Sequence, residues 1–383
     1  MATYGNVRKK RYKIKYKNLA LLLAVLLLII LLIARGCSAI FSKGKEKEDS
    51  RKTPAITTGD QQQDSLPGND PSNDPTSQKY YQFTTVTKTS ADLGDGDLVL
   101  VNNNIKFLGS VSESELDVVR EKKNNAYSVK DYTVLVQPAL MDALNNMLLD
   151  FYTATGNDGI LVNAGYRTYE YQQELYDEEL AKTGQDSSTL VAQPGYSEHH
   201  TGLAVDLTTN LNGERKQFDG TADYEWIMNN SYKYGIVNRY PAGKESLTLI
   251  DNEPWHFRYV GVPHATVMKN YGYCLEEYID FIKNYTIDTG FLSVTTDDGA
   301  QYMIYYTPQN RNSDTTNIYV PILDTNSRTT YPYEISGNNI DGWIVTFLFK
   351  EGTAVPNVID TAVTTAPDEG AEPDDSGSTA AEE

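Results

Sequence analysis

Leu19 to Ala34 reads LALLLAVLLLIILLIA, an apolar run without a polar residue. It follows an arm that carries Arg8, Lys9, Lys10, Arg11, Lys13, Lys15 and Lys17 and no acid. The apolar region of a secretory signal is about 7–15 residues, and a spanning helix needs about 20. This run lies between the two, and Cys37 to Phe41 can lengthen it if Arg35 snorkels to the interface. The expectation is an uncleaved signal anchor over 19–41. The basic arm, 1–18, then stays in the cytoplasm and the rest of the chain faces outside the cell membrane. "ARGC", ending at Cys37, has an arginine where a lipoprotein cleavage site does not.

The 383 residues carry a net charge of −19, and with the basic arm set aside the remainder is more acidic still. That balance argues against nucleic acid as a partner, since phosphate binding relies on Lys and Arg to displace counterions. Residues 42–78 are rich in Lys, Glu, Asp, Gln, Pro, Ser and Asn and nearly free of large apolar side chains, which reads as a disordered linker. From Pro356 onward, Asp360, Asp368, Glu369, Glu372, Asp374, Asp375, Glu382 and Glu383 stand without one Lys or Arg, so 356–383 reads as an acidic tail. The two cysteines, Cys37 and Cys274, imply no disulfide framework. Cys274 reads as a small buried hydrophobe.

Two folded units are expected between these segments. The first, 79–285, mixes helices and strands without a strict repeat, an α+β pattern. "DLVLVNN" (97–103) reads as an early strand. "PALMDALNNMLLDFY" reads as a helix from Pro138, with Leu140, Leu144, Met147, Leu148 and Phe151 on one face. "GILVNAGYR" (159–167) is an apolar strand with a polar end. "YEYQQELYDEELAK" is a helix, and "DYEWIMNNSYKYG" is another, closed by Gly235. The second unit, 286–355, is a small all-β appendage with short runs such as "QYMIYYTP" and "GWIVTFLF" between polar turns. It holds no histidine, so no chemistry is placed there.

The chain has four histidines, and two are adjacent in "YSEHHTGLAVDL" (196–207). With "GLAVDL" as a strand, Leu203, Val205 and Leu207 face the core. Gly202, Ala204, Asp206 and Thr208 form the other face, small residues around one carboxylate. His199 is up to about 23 Å from Asp206 in extended chain, so sharing an ion requires a fold-back, for which Thr201-Gly202 is suited. A further ligand has to come from His256 or His264. In "EPWHFRYVG" (253–261), His256 and Arg258 share a strand face, with Glu253 three residues ahead. Two His, one Asp and a spare Glu are the components of a catalytic zinc site with an open position for water.

These blocks resemble the zinc D-Ala-D-Ala carboxypeptidase family of the VanY and LAS type, which also contains LD-carboxypeptidases and D,D-dipeptidases. The pattern S-x-H-x-x-G-x-A-x-D is met by Ser197, His199, Gly202, Ala204 and Asp206, and E-x-W-H by Glu253, Trp255 and His256. "GYRTYEYQ" and "YGIVNRYPAGKES" resemble two further family segments, and the likeness spans roughly residues 95–275 in family order. It implies a D-Ala-D-Ala-carboxypeptidase/Hedgehog-like α+β zinc peptidase domain with an antiparallel sheet and flanking helices. It further implies Zn2+ held by His199, Asp206 and His256, with Glu253 as the base and Arg167 as the cation near the intermediate or the substrate carboxylate. The implied substrates are peptidoglycan stem peptides, trimmed of a C-terminal D-alanine. LD-carboxypeptidase or cross-link endopeptidase action, and a catalytically silent wall-binding or sensor domain, are the alternatives.

The remaining candidates have blander readings. His200 falls at a variable position of the pattern and is expected to point away from the metal. His264 reads as a surface or helix-start histidine. Ser197 is expected to shape the loop by hydrogen bonding and is a candidate substrate contact, as are Arg239 and Arg258, whose alternative role is structural ion pairing. "KTG" (182–184) also occurs in serine-type penicillin-binding enzymes, but no S-x-x-K stands in the right context, so it reads as a helix end. The 28 tyrosines are read mainly as packing.

Overall fold

The computed structural model describes residues 74–352 apart from residue 212. The basic arm, the Leu19–Ala34 run, most of the expected linker and the acidic tail lie outside the described residues. Among the described residues no helix is long and apolar enough to cross a membrane. The end of the expected linker needs correction. Asp74 Oδ1 accepts from Thr76 N at 2.9 Å, and Thr76 O accepts from Phe291 N at 2.7 Å. Residues 74–78 are therefore part of the fold.

The α+β unit is built on a sheet whose strands lie in the order Ser128–Val129, Ile160–Ala164, Ala204–Leu211, Glu253–Tyr259, Ile236–Tyr240. Glu214–Gln217 pairs with Ala204–Leu211 as a hairpin, and every pairing is antiparallel except that of Ser128–Val129 with Ile160–Ala164. Helix Pro138–Thr155 starts with proline at its first turn and ends on Gly156 at φ 70°. Its stripe of Leu140, Leu144, Met147, Leu148 and Phe151 is fully buried against Val162, Val205, Leu207 and Phe257. Burial at about 1.5–3 kcal/mol for each large apolar side chain pins that face of the sheet to the helix. The opposite face, with Ala204, Asp206, His256 and Arg258, is left for polar groups.

The expected helix ending at Gly235 is broken into Ala222–Tyr224, Glu225–Asn230 and Ser231–Tyr234, with Gly235 capping at φ 75°. "KTG" lies at the end of helix Tyr169–Thr183, where Gly184 caps in the left-handed region. The segment 97–103 is not a strand. Leu98 and Leu100 enter one apolar cluster and Val99 and Val101 another, so the alternation is present. The carbonyls of Asp97 and Val99, however, accept from Arg258, and that of Val101 from Arg239, instead of from a neighbouring strand.

The β-rich unit is not confined to the C-terminal side. Gln82–Thr89 pairs antiparallel with Thr315–Asp324, with Val86 opposite Ile318. The second sheet orders Leu292–Thr295, Gln301–Pro308, Gly342–Lys350 and Tyr333–Gly337. Tyr81, Phe291, Tyr305, Ile318, Trp343 and Phe347 fill the core of this unit. Val294, Ile304 and Ile344 also pack with Ala265, Met268, Tyr278 and Ile282 of helices Val262–Tyr271 and Leu275–Ile282. The two units thus share a core. Cys274 is a free, buried cysteine at the start of the second of these helices.

His264 sits at this junction and is buried, which corrects the surface reading. Its Nδ1 is 2.5 Å from Tyr278 Oη and its Nε2 is 3.1 Å from Thr346 Oγ1. Burial pushes its pKa down to about 3, against an ordinary 6.5. Below about pH 6.5 the unfolded chain binds a proton that the folded chain refuses, so stability falls as pH falls. This group alone is expected to remove about 1.4 kcal/mol per pH unit over the first units below 6.5. Denaturant unfolding between about pH 6.5 and 4.5 tests this, with His264→Asn expected to flatten the slope by that amount. An unchanged slope in the variant would place the acid sensitivity elsewhere.

Candidate metal centre

Two local devices bring His199 onto the polar face. Ser197 caps a 3-10 turn, Glu198–Thr201, and its Oγ accepts from His199 N. Gly202 then reverses the chain at φ 69°, a conformation that a side chain makes costly, and the strand Ala204–Leu211 begins. The register of that strand places Asp206 directly opposite His256. Nδ1 of His256 is 3.0 Å from Asp206 Oδ1, and Nε2 of His199 is 3.3 Å from Asp206 Oδ2. One donor atom from each residue falls in a group spanning no more than 4.8 Å.

The outer nitrogens decide which inner ones are free. His199 Nδ1 lies 2.6 Å from the Gly165 carbonyl, which can only accept, so the proton is on Nδ1 and Nε2 offers its lone pair. Gly165 is at a close approach, since a Cβ there would meet Leu135 O at 2.3 Å. His256 turns Nε2 toward Glu198 Oε2 at 3.4 Å, leaving Nδ1 for the shared point. Donors bound to a tetrahedral ion at about 2.0–2.2 Å are about 3.3–3.6 Å apart. The 3.3 Å between His199 and Asp206 lies in that range, the 3.0 Å between His256 and the other Asp206 oxygen is a little shorter, and the N, N, O set suits zinc.

Charge is held in place by neighbours. Burial works against the Asp206 carboxylate, but His199, His256 and Arg167 outweigh it and keep its pKa well below the usual range. Burial, with Arg167 adding to it, lowers His199 to about 4. Burial also opposes a charged His256, yet its hydrogen bonds to Asp206 and Glu198 prevail and raise it to about 9. Glu253 is different: burial raises it to about 7, with His256 opposing. Its Oε2 is 3.9 Å from His256 Nδ1. A buried carboxyl raised toward neutrality beside three candidate metal ligands is the arrangement a proton shuttle needs.

A cleft of about 670 Å³ opens over this cluster, with Arg167, Ser197, Tyr240, Glu253 and Trp255 in its walls. Arg167 Nη2 donates to Asp206 Oδ2 at 2.7 Å, and its Nη1 reaches Gln172 Oε1 at 3.4 Å. Tyr240 tilts its ring on His256, with centroids 4.8 Å apart. Neither Gln172 nor Tyr240 stood out in the sequence.

Arg239 and Arg258, candidates for substrate contact or for structural ion pairing, do not line the cleft but form ion pairs. Both are buried beneath it, and Arg239 Nε and Arg258 Nη1 each donate to Glu198 Oε1 at 2.7 Å. Arg239 also pairs with Glu276 at 2.6 Å. Their guanidiniums overcome the burial of Glu198 and hold its carboxyl well below the ordinary range. Glu198 itself fell on a variable position of the motif and was missed; the signal was that two arginines on core strands require a buried acid. His200, at a variable position of the motif, is not in the cluster, although the loop is a 3-10 turn and not extended. It stacks on Tyr169 at 4.2 Å, accepts from Gly195 N and bonds the Arg167 carbonyl, which steadies the arginine's backbone.

The VanY profile for D-alanyl-D-alanine carboxypeptidases matches residues 134–262. A D-alanyl-D-alanine carboxypeptidase of Enterococcus faecium is 36% identical over 264 residues, covering 68% of this chain and 78% of the relative. Another from Enterococcus faecalis is 35% identical, over 50% of this chain and 69% of the relative. The crystal structure of the vancomycin-resistance D,D-dipeptidase VanXYg in complex with a D-Ala-D-Ala phosphinate analogue is similar to this fold. It has 32% identity and a TM-score of 0.59, over 70% of this chain and 99% of that one. With the ligand motif, the α+β architecture and a relative matched over most of its length, the chain belongs to the VanY D-alanyl-D-alanine carboxypeptidase family.

Proposed function

We propose that this chain is a zinc-dependent carboxypeptidase that removes the C-terminal D-alanine of peptidoglycan stem peptides. The observation that carries the reading is the convergence of His199 Nε2, Asp206 and His256 Nδ1 beside the buried carboxyl of Glu253. Zinc held by those three residues would supply a Lewis acid and a more acidic water. Glu253, in the cleft wall beside His256, is placed to take a proton from the attacking water as the water oxygen bonds to the carbonyl carbon. It then delivers the proton to the amine nitrogen as the C–N bond breaks. Arg167, on the cleft wall, offers a fixed guanidinium to the negative charge of the reacting carbonyl or of the terminal carboxylate. Relatives bearing D-alanyl-D-alanine carboxypeptidase names support this substrate class.

The same proposal places the enzyme at the cell membrane of a bacterium. Leu19–Ala34 would anchor the chain, with the cleft on the outer side facing the wall. The full chain incubated with muropeptides and followed by mass spectrometry tests the substrate. Loss of one D-alanine from pentapeptides is expected. Loss from tetrapeptides alone, cleavage of cross-links, or no change would each replace the reading. Metal analysis gives a second check: wild type is expected to hold one zinc, and His199→Ala to lose it. Stoichiometric zinc in that variant would remove His199 from the ligand set.

A further inference from the structure

Glu198 divides its two oxygens between two tasks. Oε1 takes both Arg239 Nε and Arg258 Nη1, each at 2.7 Å. Oε2 is left for His256 Nε2 at 3.4 Å. All four groups are buried, with Glu198 and Arg239 at 1% exposure and Arg258 at 0%. The arginines are fixed in turn, Arg239 by Glu276 and the Val101 carbonyl, Arg258 by the carbonyls of Asp97, Val99 and Tyr259. The carboxylate therefore cannot rotate without stranding a guanidinium.

We infer that Glu198 is a positioning residue for the metal: by accepting from Nε2–H it holds His256 in the form whose Nδ1 is free to bind. The ring nitrogen that binds a metal is set by the hydrogen bond the other one makes, and such outer partners contribute about 10- to 100-fold in metal affinity. The rest of the site does not provide this selection. Asp206, also an acceptor, faces Nδ1 and on its own favours the proton there, the wrong form for binding. The inference rests on the reading of His199, Asp206 and His256 as a zinc site.

Glu198→Gln gives a test that a merely structural role would not answer. The amide oxygen is claimed by the two arginine donors, so the NH2 faces His256 Nε2, and two donors then oppose each other. His256 is expected to move its proton to Nδ1. Four histidines in the chain make nitrogen-15 spectra of histidine-labelled full-length protein readable. The expected result, in metal-free protein at alkaline pH where the ring is neutral, is a change from the Nε2–H to the Nδ1–H signature at His256, with zinc affinity, measured by chelator competition, lowered about 10- to 100-fold.

A second variant covers a failure of Glu198→Gln to fold. Replacing the buried cluster together (Glu198→Leu, Arg239→Met, Arg258→Met, Glu276→Gln) leaves no stranded charge, since Glu276 is the other partner of Arg239. Buried ion clusters often tolerate such an exchange. It still lacks the acceptor, so the same loss of zinc affinity is expected. Wild-type zinc affinity within about twofold in either folded variant, with His256 still Nε2–H in the glutamine variant, overturns the role of Glu198 alone. A wild-type chain that binds no zinc overturns the metal centre and this inference with it.

Discussion

Glu253→Gln is expected to retain one zinc and to lose hydrolysis of stem peptides by about 10²- to 10⁴-fold in kcat, the range a positioned acid–base contributes. The amide keeps the size and burial of the side chain but can neither take the proton of the attacking water nor pass it on. Glu253 meets no guanidinium among the described residues within ion-pair distance, unlike Asp206 and Glu198, so burial controls it and raises it to about 7. The working form is the carboxylate. A raised pKa means that this form is lost as pH falls through that value, so the acid limb of kcat/KM is expected at or below about 7. A zinc ion nearby can only move it lower, since a cation favours the carboxylate. Steady-state kinetics with metal analysis on the same samples decides the matter. Equal turnover by variant and wild type would sink the mechanism.

The second large effect is on stability. Glu198→Ala leaves the buried Arg258 guanidinium without a carboxylate, takes one of the two carboxylates from Arg239, and removes the partner of His256 Nε2 in one step. Breaking a buried ion pair from one side costs about 3–5 kcal/mol, because the remaining charge is uncompensated. A domain stable by about 5–15 kcal/mol loses a large part of its margin. Urea unfolding of metal-free protein should show this, against almost no change for Glu214→Ala, whose side chain is exposed. A loss below about 1 kcal/mol for Glu198→Ala would mean that water reaches the arginines.

The consequence joins fold and site. Glu198 is adjacent to His199 in the chain, yet its carboxylate supports His256, and its cations come from Ile236–Tyr240 and Glu253–Tyr259. The turn that carries His199 and the strands Ile236–Tyr240 and Glu253–Tyr259 are thus tied together by the carboxylate that faces His256. The β-rich unit adds to this from below, since the 97–101 segment that caps Arg258 and Arg239 is itself bonded to it through Ser336 and Asn338.

How much of this was legible follows from the range of each interaction. The helix from Pro138 and the two-faced strand through Asp206 are local patterns, a 3.6-residue and a two-residue repeat, and both were readable. His199, Asp206, His256 and Glu253 were readable because their residue types and spacings are constrained by the chemistry they share. The 97–103 stretch misled, because its alternation is real but its carbonyls bond arginines instead of a strand. Gln82–Thr89 was assigned to the wrong unit, since its partner lies beyond residue 314 and no local signal records that distance.

By itself, the sequence determined which side chains could bind a metal, which face of each element was apolar, and which family's pattern the chain follows. Only the tertiary structure decided that Asp206 stands opposite His256, that Arg239 and Arg258 lie under the cleft, and that His264 is buried. It also decided that Glu198, at a variable position of the motif, meets both arginines and His256. The physical reason is that burial and pairing depend on contacts between residues far apart in the chain. A charged side chain reads the same in sequence whether water or another charge will surround it.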